Sequence, residues 1–179
     1  MPNWCYNTLI LNHEDAAMIK RAEDAFARGE FCQEFAPIPA ELKNSTAPNR
    51  TNGDELLEKY GYTDWYSYAV NEWGTKWDFG QPDGINDVTE DELVVYFDSA
   101  WSPPLQLMAK LEKLGFTADL MYYEPGMGFC GHYTTEDGDD CYETAKMTAD
   151  QADAELPEDL NEAFGIADAI REREEYNEE

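Results

Sequence analysis

The order of predicted strands and helices constrains the fold of this chain more than any other feature of its sequence. Cys5 to Leu11 is an alternating segment rich in Tyr, Thr, Leu and Ile, which predicts a first strand. An amphipathic helix follows and ends at Gly29. The clearest strand of the chain is Glu92 to Ser99, and a second amphipathic helix follows it and ends at Gly115.

Further strands are predicted after the second helix. Thr117 to Tyr123 and Met127 to Thr134 flank a Pro-Gly turn and form a hairpin, and Tyr142 to Thr148 is a candidate last strand. This order of elements predicts an α+β fold in which an antiparallel sheet is backed by two helices. A ferredoxin-like βαββαβ core with additions fits the pattern.

The segment between the first helix and the strand at Glu92 is harder to interpret. Phe31 to Leu42 is apolar but contains two prolines, which predicts an extended segment on the core. Residues 43–54 are polar and rich in turn formers, which predicts a mobile insertion. Glu55 to Trp73 reads as one helix that ends in a run of aromatic residues.

The C-terminal part of the chain is predicted to be a separate acidic extension. A helix begins at Pro157 with apolar residues on one face, which favours docking of that helix on the rest of the protein. We therefore divide the chain into a ferredoxin-like domain over residues 1–148 and an acidic C-terminal helix over residues 149–179.

Charge excludes several classes of partner. The 179 residues include 39 acidic and 12 basic side chains, for a net charge of −27. Such a charge is repelled by DNA, RNA and anionic membranes, so none of these is expected to bind directly. Neither a membrane span nor a secretory signal is recognisable, which predicts a cytoplasmic protein. Residues 134–179 carry about half of the net charge.

Motifs for metal binding or catalysis are sparse. The four cysteines form no CxxC pair and are predicted to be reduced thiols. Cys130, His132 and Cys141 lack a standard zinc spacing, and the acidic run 136–140 lacks the spacing of a calcium loop. An N-terminal Pro2 amine acting as a base, as in tautomerases, needs cations that its neighbourhood does not supply. We therefore predict no metal, no cofactor and no enzymatic activity.

Several segments together resemble a known family. These are MPNWCYN at the start, NEWGTKWD at 71–78, FDSAWSPP at 97–104, YEPG at 123–126 and FCG at 129–131. Over roughly residues 1–135 the chain resembles the YubB-type ferredoxin-like domain family of plasmids and bacteriophages. The resemblance implies a ferredoxin-like sheet and a mobile-element origin. It implies no catalytic residue and does not extend to the acidic C-terminal part.

Two groups of residues are candidate binding sites. The first is a shared aromatic pocket with a lysine at the start of the second helix, formed by Trp73, Lys76, Trp77, Asp78 and Trp101. Core packing of the tryptophans, with their N–H groups satisfied, is the simpler interpretation. The second is the acidic run Glu136, Asp137, Asp139 and Asp140, which presents anions to a partner.

These observations lead to a functional hypothesis with open alternatives. The hypothesis is a non-enzymatic phage or plasmid protein in the host bacterial cytoplasm. It would bind and inhibit a host nucleic-acid-binding or defence protein, as anti-CRISPR and anti-restriction proteins do, with its acidic surface mimicking DNA. The predicted partner is a host protein with a basic nucleic-acid-binding surface. The alternatives are acidity for solubility or salt tolerance, a small-ligand or peptide-binding module that uses the aromatic pocket, and a tautomerase-like enzyme.

Overall fold

The structure, a computed structural model that describes residues 3–178, is organised around one six-stranded antiparallel sheet. In chain order its strands are β1 (Trp4–Asn12), β2 (Ile85–Val88), β3 (Glu92–Ala100), β4 (Thr117–Glu124), β5 (Phe129–Thr134) and β6 (Gly138–Glu143). In the sheet they lie in the order β2-β3-β1-β4-β5-β6. The helices are α1 (Ala16–Arg28), α2 (Phe31–Phe35), α3 (Ala40–Lys43), α4 (Gly53–Tyr60), α5 (Trp65–Glu72), α6 (Leu105–Lys113), α7 (Ala149–Glu155), α8 (Glu158–Phe164) and α9 (Ile166–Glu178).

The elements β1, α1, β2, β3, α6 and β4 form a ferredoxin-like βαββαβ core. Its central strand β1 pairs with β3 on one side and with β4 on the other, so that Leu9 lies opposite both Val95 and Leu120. The predicted α+β fold with an antiparallel sheet and a ferredoxin-like core is confirmed. β5 and β6 extend the sheet beyond β4.

One face of the sheet packs against α1 and α6. Successive side chains of a strand point to opposite faces, so the buried residues of β1 alternate with exposed ones. The fully buried side chains on this side include Leu9, Leu11, Phe26, Leu107 and Leu111. Each contributes about 1.5–3 kcal/mol through burial of apolar surface, so this layer is the main core of the molecule.

The segment predicted to be extended, Phe31 to Leu42, instead contains the short helices α2 and α3. The carboxylate of Asp78 accepts hydrogen bonds from the backbone N–H groups of Cys32 (2.6 Å) and Gln33 (2.9 Å), so it caps α2 from a distant part of the chain. A cap supplied across this distance leaves no local signal in the sequence.

The single helix predicted over Glu55 to Trp73 is two helices, α4 and α5. Gly61, with a φ of +80°, ends α4, and Asp64 starts α5 with a capping box. The polar segment 43–54 connects α3 to α4. There Asn49 donates a hydrogen bond to the carbonyl of Thr63 (3.0 Å) and accepts one from the Thr51 N–H (3.1 Å).

The strand predicted at Tyr142 to Thr148 is displaced, because β6 occupies Gly138–Glu143. Gly138, with a φ of +84°, closes a tight turn and already pairs with Thr134. Pairing therefore begins within the acidic run 136–140, ahead of the predicted strand.

The C-terminal segment packs on the opposite face of the sheet, against β4 and β5. Leu160, Ile166 and Ile170 are buried there together with Tyr123 and Cys130 of the sheet. The single helix predicted from Pro157 is wrong, since two helices, α8 and α9, follow Pro157, and a further helix, α7, precedes it. Gly165, in the left-handed conformation, separates α8 from α9, and a capping box at Thr148 starts α7. Glu179, at the end of the predicted extension, lies outside the described residues.

The C-terminal helices cover only the β4–β5 part of this face. Trp4 and Tyr6 of β1 and Tyr96 of β3 point from the same face and are exposed. Among residues 3–178, no helix has the length and apolar character needed to cross a membrane.

Candidate functional site

Five large aromatic side chains form an exposed surface, called here the aromatic face. They are Trp4, Tyr6, Trp77, Tyr96 and Trp101, and each is 40–47% exposed. The rings of Trp4 and Trp77 are 6.0 Å apart, which joins the sheet residues to the loop before β2. Large exposed apolar surfaces in globular proteins mark interaction sites.

Lys76 connects two tryptophans of the aromatic face. Its Nζ lies 4.6 Å from the ring centroids of both Trp77 and Trp101, and 5.9 Å from that of Tyr66. These distances are those of cation–π contacts. Among residues 3–176, no carboxylate oxygen lies within 4.0 Å of this ammonium, although the protein is strongly acidic.

Trp101 is held in a strained backbone conformation. Its φ is +74°, and among residues 3–178 it is the one residue other than glycine with a positive φ. Its N–H donates to the carbonyl of Asn3 at 3.0 Å, which anchors the residue just after β3. A left-handed conformation costs a non-glycine residue about 1–2 kcal/mol, and strain of this kind clusters at functional sites.

The turn that carries Lys76 is fixed against the start of α6. Ser102 Oγ donates to the carbonyl of Gly74 (2.5 Å), and Thr75 Oγ1 donates to the carbonyl of Ala100 (3.1 Å). Gly74 has a φ of +88°, and a Cβ there would lie 3.0 Å from the backbone nitrogen of Leu105 and from the carbonyl oxygen of Pro103. The segments WGTKWD and AWSPP are therefore parts of one packed unit, and glycine is required where they meet.

Two of the predicted pocket residues have structural roles. Trp73 is buried, and its Nε1–H donates to the carbonyl of Ala36 at 2.7 Å. Both carboxylate oxygens of Asp78 accept backbone N–H groups, from Cys32, Gln33 and Phe79. Burial raises the pKa of the Asp78 carboxyl, and these hydrogen bonds act in the opposite direction.

The predicted aromatic pocket is divided in the structure. Trp73, Lys76, Trp77 and Asp78 line one cavity, while Trp101 lies outside that lining, against Lys76 and Tyr66. Two predicted residues connect this cavity to the aromatic face. Trp77 belongs to both, and Lys76 lines the cavity and contacts Trp77 and Trp101 of the aromatic face.

The acidic residues Glu136, Asp137, Asp139 and Asp140 lie elsewhere. They belong to the β5–β6 hairpin, at the opposite edge of the sheet from β2 and β3. Asp139 accepts the hydroxyl of Tyr122 at 2.8 Å, and burial raises the pKa of its carboxyl. The structure thus does not bring the two predicted groups of site residues together.

The weak metal and catalytic candidates are separated or undescribed. Cys130 and His132 point to one face of the sheet, whereas Cys141 lies opposite Gly131 and points to the other. His132 Nε2 is 2.8 Å from Asp119 Oδ1 instead. Within residues 3–178 no group of three or more His, Cys, Asp and Glu side chains can hold a metal ion. Pro2 lies outside the described residues.

Sequence reasoning missed the sheet residues of the aromatic face. Trp4, Tyr6 and Tyr96 occupy alternate positions of two strands, on the face opposite to the buried Leu9. The alternation itself carried the signal, because the outward positions of an antiparallel strand with one solvated face are usually polar. Together with Trp77, Asp98 and other residues, Trp4 and Tyr96 line an open cavity of about 470 Å³.

Comparison with known families adds to this picture. The family model described as the ferredoxin-like domain in Api92-like protein matches residues 72–169. The chain belongs to this family. The match reaches from α5 into α9, so the acidic C-terminal helices lie largely within the family's domain. The match supports membership of a ferredoxin-like family, under a different name from the YubB-type family that the sequence resembles over roughly residues 1–135.

One solved structure is also similar to this chain. It is the crystal structure of protein api92 from Yersinia pseudotuberculosis, which is 12% identical. The similarity covers 82% of this chain and 99% of that protein, with a TM-score of 0.44. No curated protein matches the chain.

Proposed function

We propose that this protein is a non-enzymatic binding module that uses its aromatic face to bind a basic surface of a host protein. The observation that carries the proposal is the open β1–β3 face, where Trp4, Tyr6 and Tyr96 stand exposed beside the carboxylate of Asp98. Tyrosine and tryptophan are enriched in protein interfaces and dominate their binding energy. Burial of the apolar surface that these rings still expose favours association.

Charge complementarity supports a basic partner. The net charge of −27 creates a negative potential that attracts cationic surfaces and accelerates their association. The surfaces beside the aromatic face carry carboxylates, including Asp98 on β3 and Asp83 before β2, and both of these line the open cavity. An arginine or lysine of a partner can stack on the exposed rings and pair with these carboxylates.

Direct RNA binding is the strongest competitor for this face. In RNA-recognition domains, aromatic residues on a four-stranded sheet stack on bases. Those domains also need cations for the phosphates, whereas no basic residue is found in the described lining of the open cavity, and Lys76 lies beside it, against Trp77. The arrangement therefore favours a partner protein that itself binds nucleic acid. The acidic surface of this chain would take the place of the nucleic acid on that partner.

The finer features of the proposal rest on sequence resemblance. The YubB-type resemblance supports a phage or plasmid origin and action in the host bacterial cytoplasm. The acidic surface supports DNA mimicry directed at a defence nuclease or another nucleic-acid-binding protein.

The proposal is tested by affinity purification from the native host at low salt, followed by mass spectrometry. We expect one basic protein at near-stoichiometric yield, and we expect its recovery to fall steeply as salt rises. A DNA duplex should compete with the immobilised protein for this partner if the acidic surface mimics DNA.

Matched variants separate the aromatic face from general acidity. Tyr96→Thr preserves strand propensity and removes a ring from the face, so it should reduce recovery of the partner. Tyr176→Ala removes a ring that is 80% exposed on α9 and should leave recovery unchanged. If no partner is recovered stoichiometrically, or if Tyr96→Thr has no effect, the proposal fails. Direct binding of a single-stranded RNA by the purified protein would also overturn it.

A further inference from the structure

A cavity of about 340 Å³ lies behind Trp77, among α2, α3, α5 and the turn that carries Lys76. It is separate from the open cavity of the aromatic face, although Trp77 borders both. Small-molecule sites have volumes of about 300–1,000 Å³, so this cavity is large enough for a compact ligand.

The walls of this cavity are mainly apolar and aromatic. Trp65, Trp73, Trp77 and Ile38 all line it. The indole of Trp73 is fixed by its hydrogen bond to the Ala36 carbonyl, and the backbone N–H of Trp65 is held by Ser45 Oγ at 3.1 Å. Walls that are already ordered lose little entropy when a ligand binds, which favours affinity.

Polar side chains also line the cavity, namely those of Gln33, Lys43 and Lys76. Lys43 and Lys76 both line it, and within residues 3–176 neither has a carboxylate oxygen within 4.0 Å. Six of the other ten basic residues do form such pairs, namely Lys20, Arg21, Arg28, Lys59, Lys110 and Arg171.

The two acidic residues that line the cavity are already engaged. Glu30 lies 3.5 Å from the guanidinium of Arg28, and Asp78 accepts three backbone N–H groups. The cavity therefore combines aromatic walls with two lysine side chains that have no carboxylate oxygen within 4.0 Å among residues 3–176, in a protein with far more acidic than basic residues.

We infer that this cavity binds a small monocarboxylate that carries one aromatic ring. The ring would pack against the indoles of Trp65, Trp73 and Trp77, as apolar bodies do in aromatic-lined sites. The carboxylate would accept charge-assisted hydrogen bonds from Lys43 and Lys76. This inference is independent of the proposed partner binding, because the ligand is measured on the isolated protein.

The test uses three probes that share one ring and differ in charge. Binding of 3-phenylpropionate, its neutral amide and 3-phenylpropylamine to the full-length protein is measured by ligand-observed NMR titration at low salt. We expect the carboxylate to bind at least about tenfold more tightly than the amide or the amine. Equal binding of the amide overturns the inference, as does a failure of the carboxylate to bind below about 10 mM.

Lysine variants then locate the site. Lys76→Met should weaken 3-phenylpropionate about tenfold or more, and Lys76→Arg should retain most of the affinity because it keeps the positive charge. Lys146→Met changes the net charge equally, but this residue does not line the cavity, so wild-type affinity is expected. Circular dichroism checks that each variant is folded. The cavity is excluded as the site if Lys76→Met and Lys43→Met both bind 3-phenylpropionate with wild-type affinity. It is also excluded if Lys146→Met weakens binding as much as Lys76→Met does.

Discussion

The ammonium nitrogen of Lys76 lies 4.6 Å from the ring centroid of Trp101, whose own backbone has a φ of +74°. An unfavourable backbone conformation therefore coincides with a contact between a cation and an exposed indole. The Trp101 N–H is held by Asn3 and the ring by Lys76 and Tyr66, so neighbouring residues stabilise the strained conformation. This places a large ring at the surface, next to a lysine that has no carboxylate oxygen within 4.0 Å in the part of the chain from residue 3 to 176.

Replacing Trp101 by glycine or by alanine should separate the backbone strain from the ring. Both variants lose the contact with Lys76, but only alanine keeps a Cβ in the left-handed region. We expect Trp101→Gly to be about 1 kcal/mol more stable than Trp101→Ala, after allowing for the greater freedom of glycine in the unfolded chain. Urea unfolding followed by circular dichroism measures the difference.

The same pair of substitutions at Trp77 is the control, because φ at Trp77 is not positive. There the glycine variant should be the less stable of the two. If the glycine and alanine variants rank in the same order of stability at Trp101 and at Trp77, the backbone of Trp101 is not strained.

Trp73→Phe should destabilise the protein more than Trp77→Phe. The Trp73 indole is buried, and its N–H satisfies the carbonyl of Ala36, which phenylalanine leaves without a partner. The expected cost is about 1–3 kcal/mol for the lost hydrogen bond, with a further loss from the smaller ring. Trp77 is 40% exposed, so its replacement should change stability by about 0.5 kcal/mol or less. Denaturant midpoints of the two variants test this ranking.

Cys141 should be the one thiol that reacts rapidly in the native protein. Cys5, Cys32 and Cys130 are buried, whereas Cys141 is exposed. Burial raises the pKa of the Cys130 thiol to about 12 and that of Cys32 well above its ordinary value. These thiols therefore supply almost no thiolate near pH 8.

Alkylation at pH 8 followed by mass spectrometry should give one rapid modification, and four in denaturant. Cys141→Ser should abolish the rapid phase. Rapid modification of Cys5 or Cys130 in the folded protein would show that the sheet opens more readily than the structure implies.

Tyr62 should make stability sensitive to alkaline pH. Its hydroxyl donates to the carboxylate of Glu72, which also accepts from Lys110. The hydrogen bond to Glu72 raises the pKa of Tyr62 from 10.0 to about 12. The folded state thus retains this proton where the unfolded state loses it. The stabilisation is full below pH 10 and declines as pH rises towards 12.

Comparison with Tyr62→Phe isolates this effect. The difference in free energy of unfolding between wild type and Tyr62→Phe should be smaller at pH 11 than at pH 9. Both proteins keep Glu72 and Lys110, so other titrations largely cancel. A difference that stays constant with pH would show that the Tyr62 hydroxyl does not hold its proton through Glu72.

The sequence alone was sufficient for elements whose signals are local. The strand at Glu92 and the helix end at Gly29 follow from alternation and from glycine in the left-handed conformation, and both are observed. The order of these elements also predicted the ferredoxin-like core, because few arrangements bury two amphipathic helices on one antiparallel sheet. Lys76 and Trp77 were recognised as candidate binding residues from composition and proximity in the chain.

Other features depend on contacts between residues far apart in the sequence. Helix α2 depends on Asp78, and the different environments of Trp73 and Trp101 depend on packing around the turn at Gly74. The exposure of Trp4, Tyr6 and Tyr96 depends on how far α7–α9 extend across the sheet. The sequence by itself thus determined which segments form strands and helices and which of their faces are apolar. Only the tertiary structure decided which apolar faces are covered, because burial is set by neighbours that local patterns do not specify.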